Sequence, residues 1–216
     1  MPVTTFRSSM ILAHREYHGQ LNVPDMFTRL LLSIALTGTA PSSFYNPPQI
    51  DDGHPHYDGL PVDFTASAIL KLGVFENDGG YRTFNLVNPH DDGISLDTFA
   101  KWMKDYGLSI NYVDDYTDWH NRLETALRGL PEHLKQQSLL PLIHGFRAPS
   151  VVTSGSIIPS PRFQEAVSTS TLVSIPKISK SLIHKYLDDL RIHGLLDVKQ
   201  KMTSQHIPSS SAVLHV

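Results

Sequence analysis

Pro2-Val3-Thr4-Thr5-Phe6-Arg7-Ser8-Ser9-Met10-Ile11-Leu12-Ala13 opens the chain on a run suited to a sheet. Val3 to Phe6 is β-branched and aromatic, which favours a strand, and Met10 to Ala13 is apolar again, which reads as a buried loop leaving the strand's end. The residues that follow offer no hairpin, so this strand needs neighbours that lie far along the chain or outside it. The expectation is one part of a larger α/β fold, begun in mid-domain and carrying no complete active site.

Working outward, Pro24 and Asp25 open a helix whose Phe27, Leu30, Leu31 and Ile34 fall on one buried face, with Gly38 and Pro41 ending it. Residues 38–61 are rich in Pro, Ser, Asp and Gly and read as loops. Asp63 is placed to cap a helix from Phe64 to Leu72, stopped by Gly73. Tyr81 to Val87 reads as a strand and Asn88 to Gly93 as a tight polar loop. Ser95 caps a helix carrying Phe99, Trp102, Met103 and Tyr106 up to Gly107, and Leu108 to Val113 is a short strand before a helix from about Thr117 to Arg128. That strand–helix–strand order suggests a βαβ unit and a parallel pair. Beyond Pro131, helices alternate with linkers such as Ala148 to Ser160. A last helix runs from Ser179 to His193, and residues 199–216 have no periodicity and read as a disordered tail.

The totals exclude several function classes. With a net charge of −3 there is no electrostatic footprint for nucleic acid or an acidic membrane surface. No run approaches the roughly 18 apolar residues of a membrane span, and the first residues lack the pattern of a signal peptide. The absence of cysteine removes disulfides, thiolate metal sites and cysteine nucleophiles, in keeping with a cytoplasmic protein.

Two polar clusters are candidates for chemistry. His54-Pro55-His56 with Asp51, Asp52 and Asp58 has the donor types of a metal site, but proline between the histidines does not fix them as a chelate, and a solvated loop accounts for the pattern better. His90-Asp91-Asp92 could serve as an acid/base cluster, yet Asn88-Pro89-His90-Asp91-Asp92-Gly93 has the composition of a turn leading from a strand into a helix. Absences weigh more. No Gly-x-Gly-x-x-Gly or phosphate-binding loop follows any strand. No Gly-x-Ser-x-Gly elbow is present. No tyrosine is followed by lysine in a Tyr-x-x-x-Lys dyad, the device by which short-chain reductases lower a phenol pKa and present a proton to a carbonyl.

Four segments, Pro2 to Ala13, Gly19 to Leu30, Tyr57-Asp58-Gly59-Leu60-Pro61-Val62-Asp63-Phe64-Thr65 and Asn88-Pro89-His90-Asp91-Asp92-Gly93-Ile94-Ser95-Leu96, resemble the C-terminal part of the reductase domain of bacterial carboxylic acid reductases. The resemblance continues through Glu124 to Arg128 and Lys185-Tyr186-Leu187-Asp188-Asp189-Leu190 and covers about residues 1–196, leaving 197–216 as a foreign extension. It implies the C-terminal portion of an extended short-chain dehydrogenase/reductase fold, Rossmann-like, with a mostly helical substrate subdomain. Such domains reduce an acyl thioester, carried on the phosphopantetheine arm of a carrier domain, to an aldehyde with NADPH. Carried onto this chain, Arg7, Ser8 and Ser9 match the loop that passes beside the nicotinamide. The family usually has Asp where Ser9 stands, so the cofactor edge departs from the pattern there. Segments 17–30 and 54–66 match the substrate subdomain that receives the acyl-pantetheine arm. The Gly-rich loop and the Tyr/Lys dyad of the family fall before Pro2.

Three readings remain at this point: an inactive remnant of such a reductase, one half of a split enzyme, and a stand-alone module for acyl-carrier partners. The coding region upstream separates them. The missing sheet neighbours also predict exposed flanks and marginal stability for the chain by itself.

Overall fold

The computed structural model describes residues 2–47, 53–75 and 80–196. The proposed tail at 197–216 lies outside the described residues, as do Asp51 and Asp52 of the candidate metal cluster. The opening stretch forms two strands in succession, β1 (Val3–Ser8) and β2 (Met10–Leu12), broken at Ser9. The segment from Met10 is therefore strand and not loop. It pairs in parallel with β4 (Gly59–Pro61), Ile11 opposite Leu60, which buries Leu12 beneath the ladder. β1 runs parallel to β5 (Tyr81–Leu86), with Phe6 opposite Phe84 and the two rings stacked at 5.7 Å. The first strand thus finds its partner far along the chain, through the long crossover that parallel pairing requires.

The expected βαβ unit is corrected in its pairing. α3 (Leu96–Asp105) does connect β5 to β6 (Asn111–Val113), but β6 pairs with β3 (Thr39–Pro41), also in parallel. The physical reason is main-chain matching at both ends of that ladder. Asn111 donates from its amide to the Gly38 carbonyl at 2.8 Å, and Ser42 donates to the Val113 carbonyl at 2.9 Å. β3 and β4 lie inside the segment read as loop. Each has three residues and ends in proline, so turn composition hides it, and proline is tolerated at such margins.

Two apolar cores follow from these pairings. The larger one packs α1 (Met26–Thr37), α3, α4 (Tyr116–Arg128) and α7 (Lys180–Ile192) around Phe27, whose ring meets Phe99 at 5.5 Å and Tyr186 at 5.2 Å, both edge-on. The smaller one seats Phe84 and Leu86 of β5 against Phe64 of α2 (Val62–Leu70) and Phe163 and Val167 of α6 (Pro161–Thr169). Each fully buried Phe or Leu contributes about 1.5–3 kcal/mol. A short α5 (Glu132–Gln137) is tied to α1 by Arg29, which donates to the Gln136 and Ser138 carbonyls.

The ends of α1 follow the sequence. Asp25 accepts from the Thr28 amide at 2.7 Å and the Thr28 hydroxyl at 2.9 Å. Gly38 closes the helix at φ 64°, and a Cβ there would lie 2.9 Å from the Ser109 carbonyl, so glycine is required twice over. α2 departs from expectation at both ends. Pro61 occupies the N-cap, and Asp63 sits inside the first turn with its carboxylate committed to Arg15. At Gly73 the chain does not stop but continues as a π-turn, Lys71–Phe75, in which Gly73 passes so close to the Phe6 ring that a Cβ would stand 3.1 Å from it.

Candidate functional site

In parallel sheets, ligands bind beyond the carboxyl ends of the strands. Beyond the carboxyl ends of β2 and β4, the loop from Ala13 to Asn22 folds over a cavity of about 580 Å³, well inside the range of small-molecule sites. Leu12, Ala13 and Val62 give it an apolar floor, while His14, Tyr17, Gln20 and Asn22 supply polar walls. Tyr186 reaches in from α7 on the far side.

Side chains from two helices hold the loop. The buried Tyr186 hydroxyl accepts the Ala13 amide at 2.6 Å, and burial pushes that phenol well above its ordinary value, so it stays protonated. Three residues on, Asp189 is fully buried; its Oδ2 takes the Lys185 ammonium at 2.5 Å and its Oδ1 takes the Gly19 amide at 2.9 Å and His18 Nδ1 at 3.0 Å. The carboxylate is thereby surrounded by donors, the condition under which a buried charge is tolerated. From the other side, Asp63 accepts the Arg15 amide at 3.2 Å and its Nε at 2.6 Å. Burial of Asp63 opposes ionisation, but the Arg15 hydrogen bonds and charge outweigh it and hold the carboxyl below its usual range. Within the loop, His14 Nδ1 accepts from the Glu16 and Tyr17 amides at 3.0 and 3.1 Å, which places the ring proton on Nε2. The His14 and Tyr17 rings stack at 4.0 Å. The lining contains no lysine or cysteine and no paired nucleophile and base. The arrangement can hold and orient a partly apolar ligand with polar groups.

Arg7, Ser8 and Ser9 do not line this cavity. Arg7 and Ser8 are exposed at the carboxyl end of β1, and Ser9 gives both its amide and its hydroxyl to the Leu86 carbonyl, at 3.0 and 3.4 Å, so it ties β1 to β5. These three residues offer one cation and two hydroxyls along a strand end. No Gly-rich turn at a helix N-terminus stands near them in the sequence, so they do not fit a whole dinucleotide.

In the other candidate clusters, the described residues make the hydrogen bonds of turns and loops. His90 donates its amide to Asn88 Oδ1 at 3.1 Å and its Nε2 lies 2.9 Å from the Ile175 carbonyl, while Asp92 accepts the Ile94 amide, as a turn requires. Asp58 accepts the Asn88 amide at 2.9 Å and a hydrogen bond from Ser156. Among the described residues, no group of three or more His, Asp or Glu is placed to hold a metal. No helix among them is long and apolar enough to cross a membrane. Sequence reasoning did not find the role of Lys185 and Asp189. The available signal was a charged i, i+4 pair on the otherwise apolar face of Leu182, Tyr186 and Leu190.

Residues 1–69 match the NAD-binding family model described as male sterility protein. The chain is 50% identical to a carboxylic acid reductase of Segniliparus rugosus over 203 residues, covering 91% of this chain and 17% of that protein. It is 48% identical to a carboxylic acid reductase of Mycobacterium marinum over 202 residues, with the same coverage of each. The reductase domain of a nonribosomal peptide synthetase from Mycobacterium tuberculosis superposes with a TM-score of 0.80 at 39% identity, over 90% of this chain and 47% of that one. The chain spans less than a fifth of the curated relatives it matches and about half of that reductase domain. The chain is thus similar in sequence to the carboxylic acid reductases, and its fold is part of the extended short-chain-dehydrogenase-like fold of reductase domains.

Proposed function

We propose that this chain supplies the substrate side of a cytoplasmic thioester reductase, in which an acyl group on the phosphopantetheine arm of a carrier domain is released as an aldehyde at the expense of NADPH. The observation that carries this reading is the 580 Å³ cavity at the carboxyl ends of β2 and β4, whose loop is tied down by α2 and α7. An extended arm with amide groups and an apolar end matches its polar walls and apolar floor. Arg7, Ser8 and Ser9 then edge the cofactor without cradling it. The two-stranded β1–β5 ladder supports a role within a larger sheet, because a parallel pair is normally covered and flanked on both sides. Val3, Tyr81 and Val74 instead stand exposed around it. No step of the reduction is assigned to residues of this stretch, and by itself it is expected to be inactive.

The test is a chimera in which residues 1–196 replace the matching segment of the Mycobacterium marinum relative. The chimera is expected to form aldehyde from a carrier-bound acyl thioester. Asn22→Trp, at the exposed mouth of the cavity, is expected to raise KM for that substrate with kcat little changed, since it removes binding and not chemistry. A folded, NADPH-binding chimera that forms no aldehyde, or an unchanged KM in the variant, contradicts the proposal.

A further inference from the structure

The loop that walls the 580 Å³ cavity holds one of its side chains through contacts with two helices and with the loop itself. His14 stands between two anchored residues. The Ala13 amide donates to the Tyr186 hydroxyl of α7 at 2.6 Å, and the Arg15 amide and Nε donate to the Asp63 carboxylate of α2 at 3.2 and 2.6 Å. The His14 Nδ1 accepts from the Glu16 and Tyr17 amides at 3.0 and 3.1 Å, and the Tyr17 ring stacks on the imidazole at 4.0 Å. Backbone, ring orientation and tautomer are therefore set before a ligand arrives, which lowers the ordering cost of binding. The turn by itself does not call for histidine. An asparagine Oδ1 stands where Nδ1 does and closes the same kind of turn. What histidine adds is the other edge of the ring, where Nε2 carries the proton.

That edge is available to the cavity. His14 lines it and is half-buried, Nε2 is not buried, and among the described residues it has no hydrogen-bond partner. Gln20 and Asn22, the neighbouring polar walls, are exposed amides that can turn either a donor or an acceptor inward. His14 in this tautomer offers Nε2–H alone, so it selects an acceptor oxygen. Charge narrows the choice. Asp25 lines the same cavity and no lysine or arginine does, so a carboxylate or phosphate is disfavoured there and a neutral carbonyl is not. We propose that His14 is the donor that fixes the arm's register in this cavity, its Nε2–H bound to an amide carbonyl of the pantetheine chain. That role rests on the reading of the cavity as the site of the arm. It is a binding role, with no part in the reduction itself.

Free pantetheine is the probe. The 216-residue chain is titrated with it while the imidazole nitrogens of His14 and the methyl resonances of Leu12 and Val62 are followed by NMR. Without ligand, His14 is expected to show the Nε2–H tautomer. Pantetheine is expected to saturate the methyl shifts and to move the Nε2 resonance along the same curve. His14→Asn keeps an acceptor for the Glu16 and Tyr17 amides and removes the donor. With those two amide resonances in place, it is expected to bind pantetheine about tenfold more weakly, the worth of one hydrogen bond. Equal affinity of the variant and the unaltered chain overturns the role of His14 and leaves the arm site standing. Failure of pantetheine to saturate the unaltered chain overturns the arm site and this role with it. Where His14→Asn does not fold, the unaltered chain still decides: methyl shifts that saturate while Nε2 stays unmoved overturn the proposal.

Discussion

Asp189 concentrates more of the site's electrostatics than any group the sequence singles out. It joins Lys185 on its own helix to the Gly19 amide and His18 on the cavity loop. Asp189→Ala leaves Lys185 buried without a counter-charge and Gly19 without an acceptor, so it is expected to cost about 3–5 kcal/mol in a denaturant melt. The double variant Lys185→Met/Asp189→Leu removes the stranded charge and is expected to recover only part of that loss, because the Gly19 amide remains unpaired. The Arg15–Asp63 strap behaves differently, since Arg15 is half-exposed and water screens the pair to about 0.5 kcal/mol. The Asp63 carboxyl titrates below its ordinary 3.8 in the folded state. Its contribution is therefore complete above that value and is lost as pH falls through the lower folded-state one. The difference in Tm between the unaltered chain and Arg15→Ala is expected to shrink as pH is lowered from 6 to below about 3. A difference that holds constant over that range removes the ion pair from the account.

At the scale of elements, α1 shows how much local chemistry can settle. Asp25 caps it with two hydrogen bonds, although burial raises the carboxyl above its usual value in spite of Thr28. Asp25→Ala is expected to cost about 1 kcal/mol, whereas Asp25→Asn, which keeps an acceptor and sheds the buried charge, is expected to cost little. Equal losses from the two would mean that the charge, and not the cap, matters. Such helices were legible because cap, apolar face and closing glycine agree at Asp25 to Gly38, and cap and apolar face agree at Ser179 to His193. The three-residue strands were not: Thr39–Pro41 and Gly59–Pro61 are defined only by what they pair with, and carry proline and glycine where a pattern would be sought. Asp63 failed as a cap for a related reason. Its partner, Arg15, is 48 residues away, and a long-range ion pair overrides a local preference that the sequence alone displays.

At the scale of the molecule, the helical lobe packs around Phe27, while the sheet is three separate parallel pairs among the described residues. The division into sheet edge and helical lobe was readable in the sequence through the resemblance of its segments; the cavity was not, since it arises where β2, α2 and α7 converge from distant parts of the chain. Relatives share the fold over nine-tenths of this chain but extend well beyond it. The proposed substrate-side role, with the dinucleotide site lying outside these residues, is tested by NADPH fluorescence. Titration of the 216-residue chain is expected to show no saturation, while the chimera with the Mycobacterium marinum relative is expected to saturate. Saturable micromolar binding of NADPH by the chain alone would contradict the account.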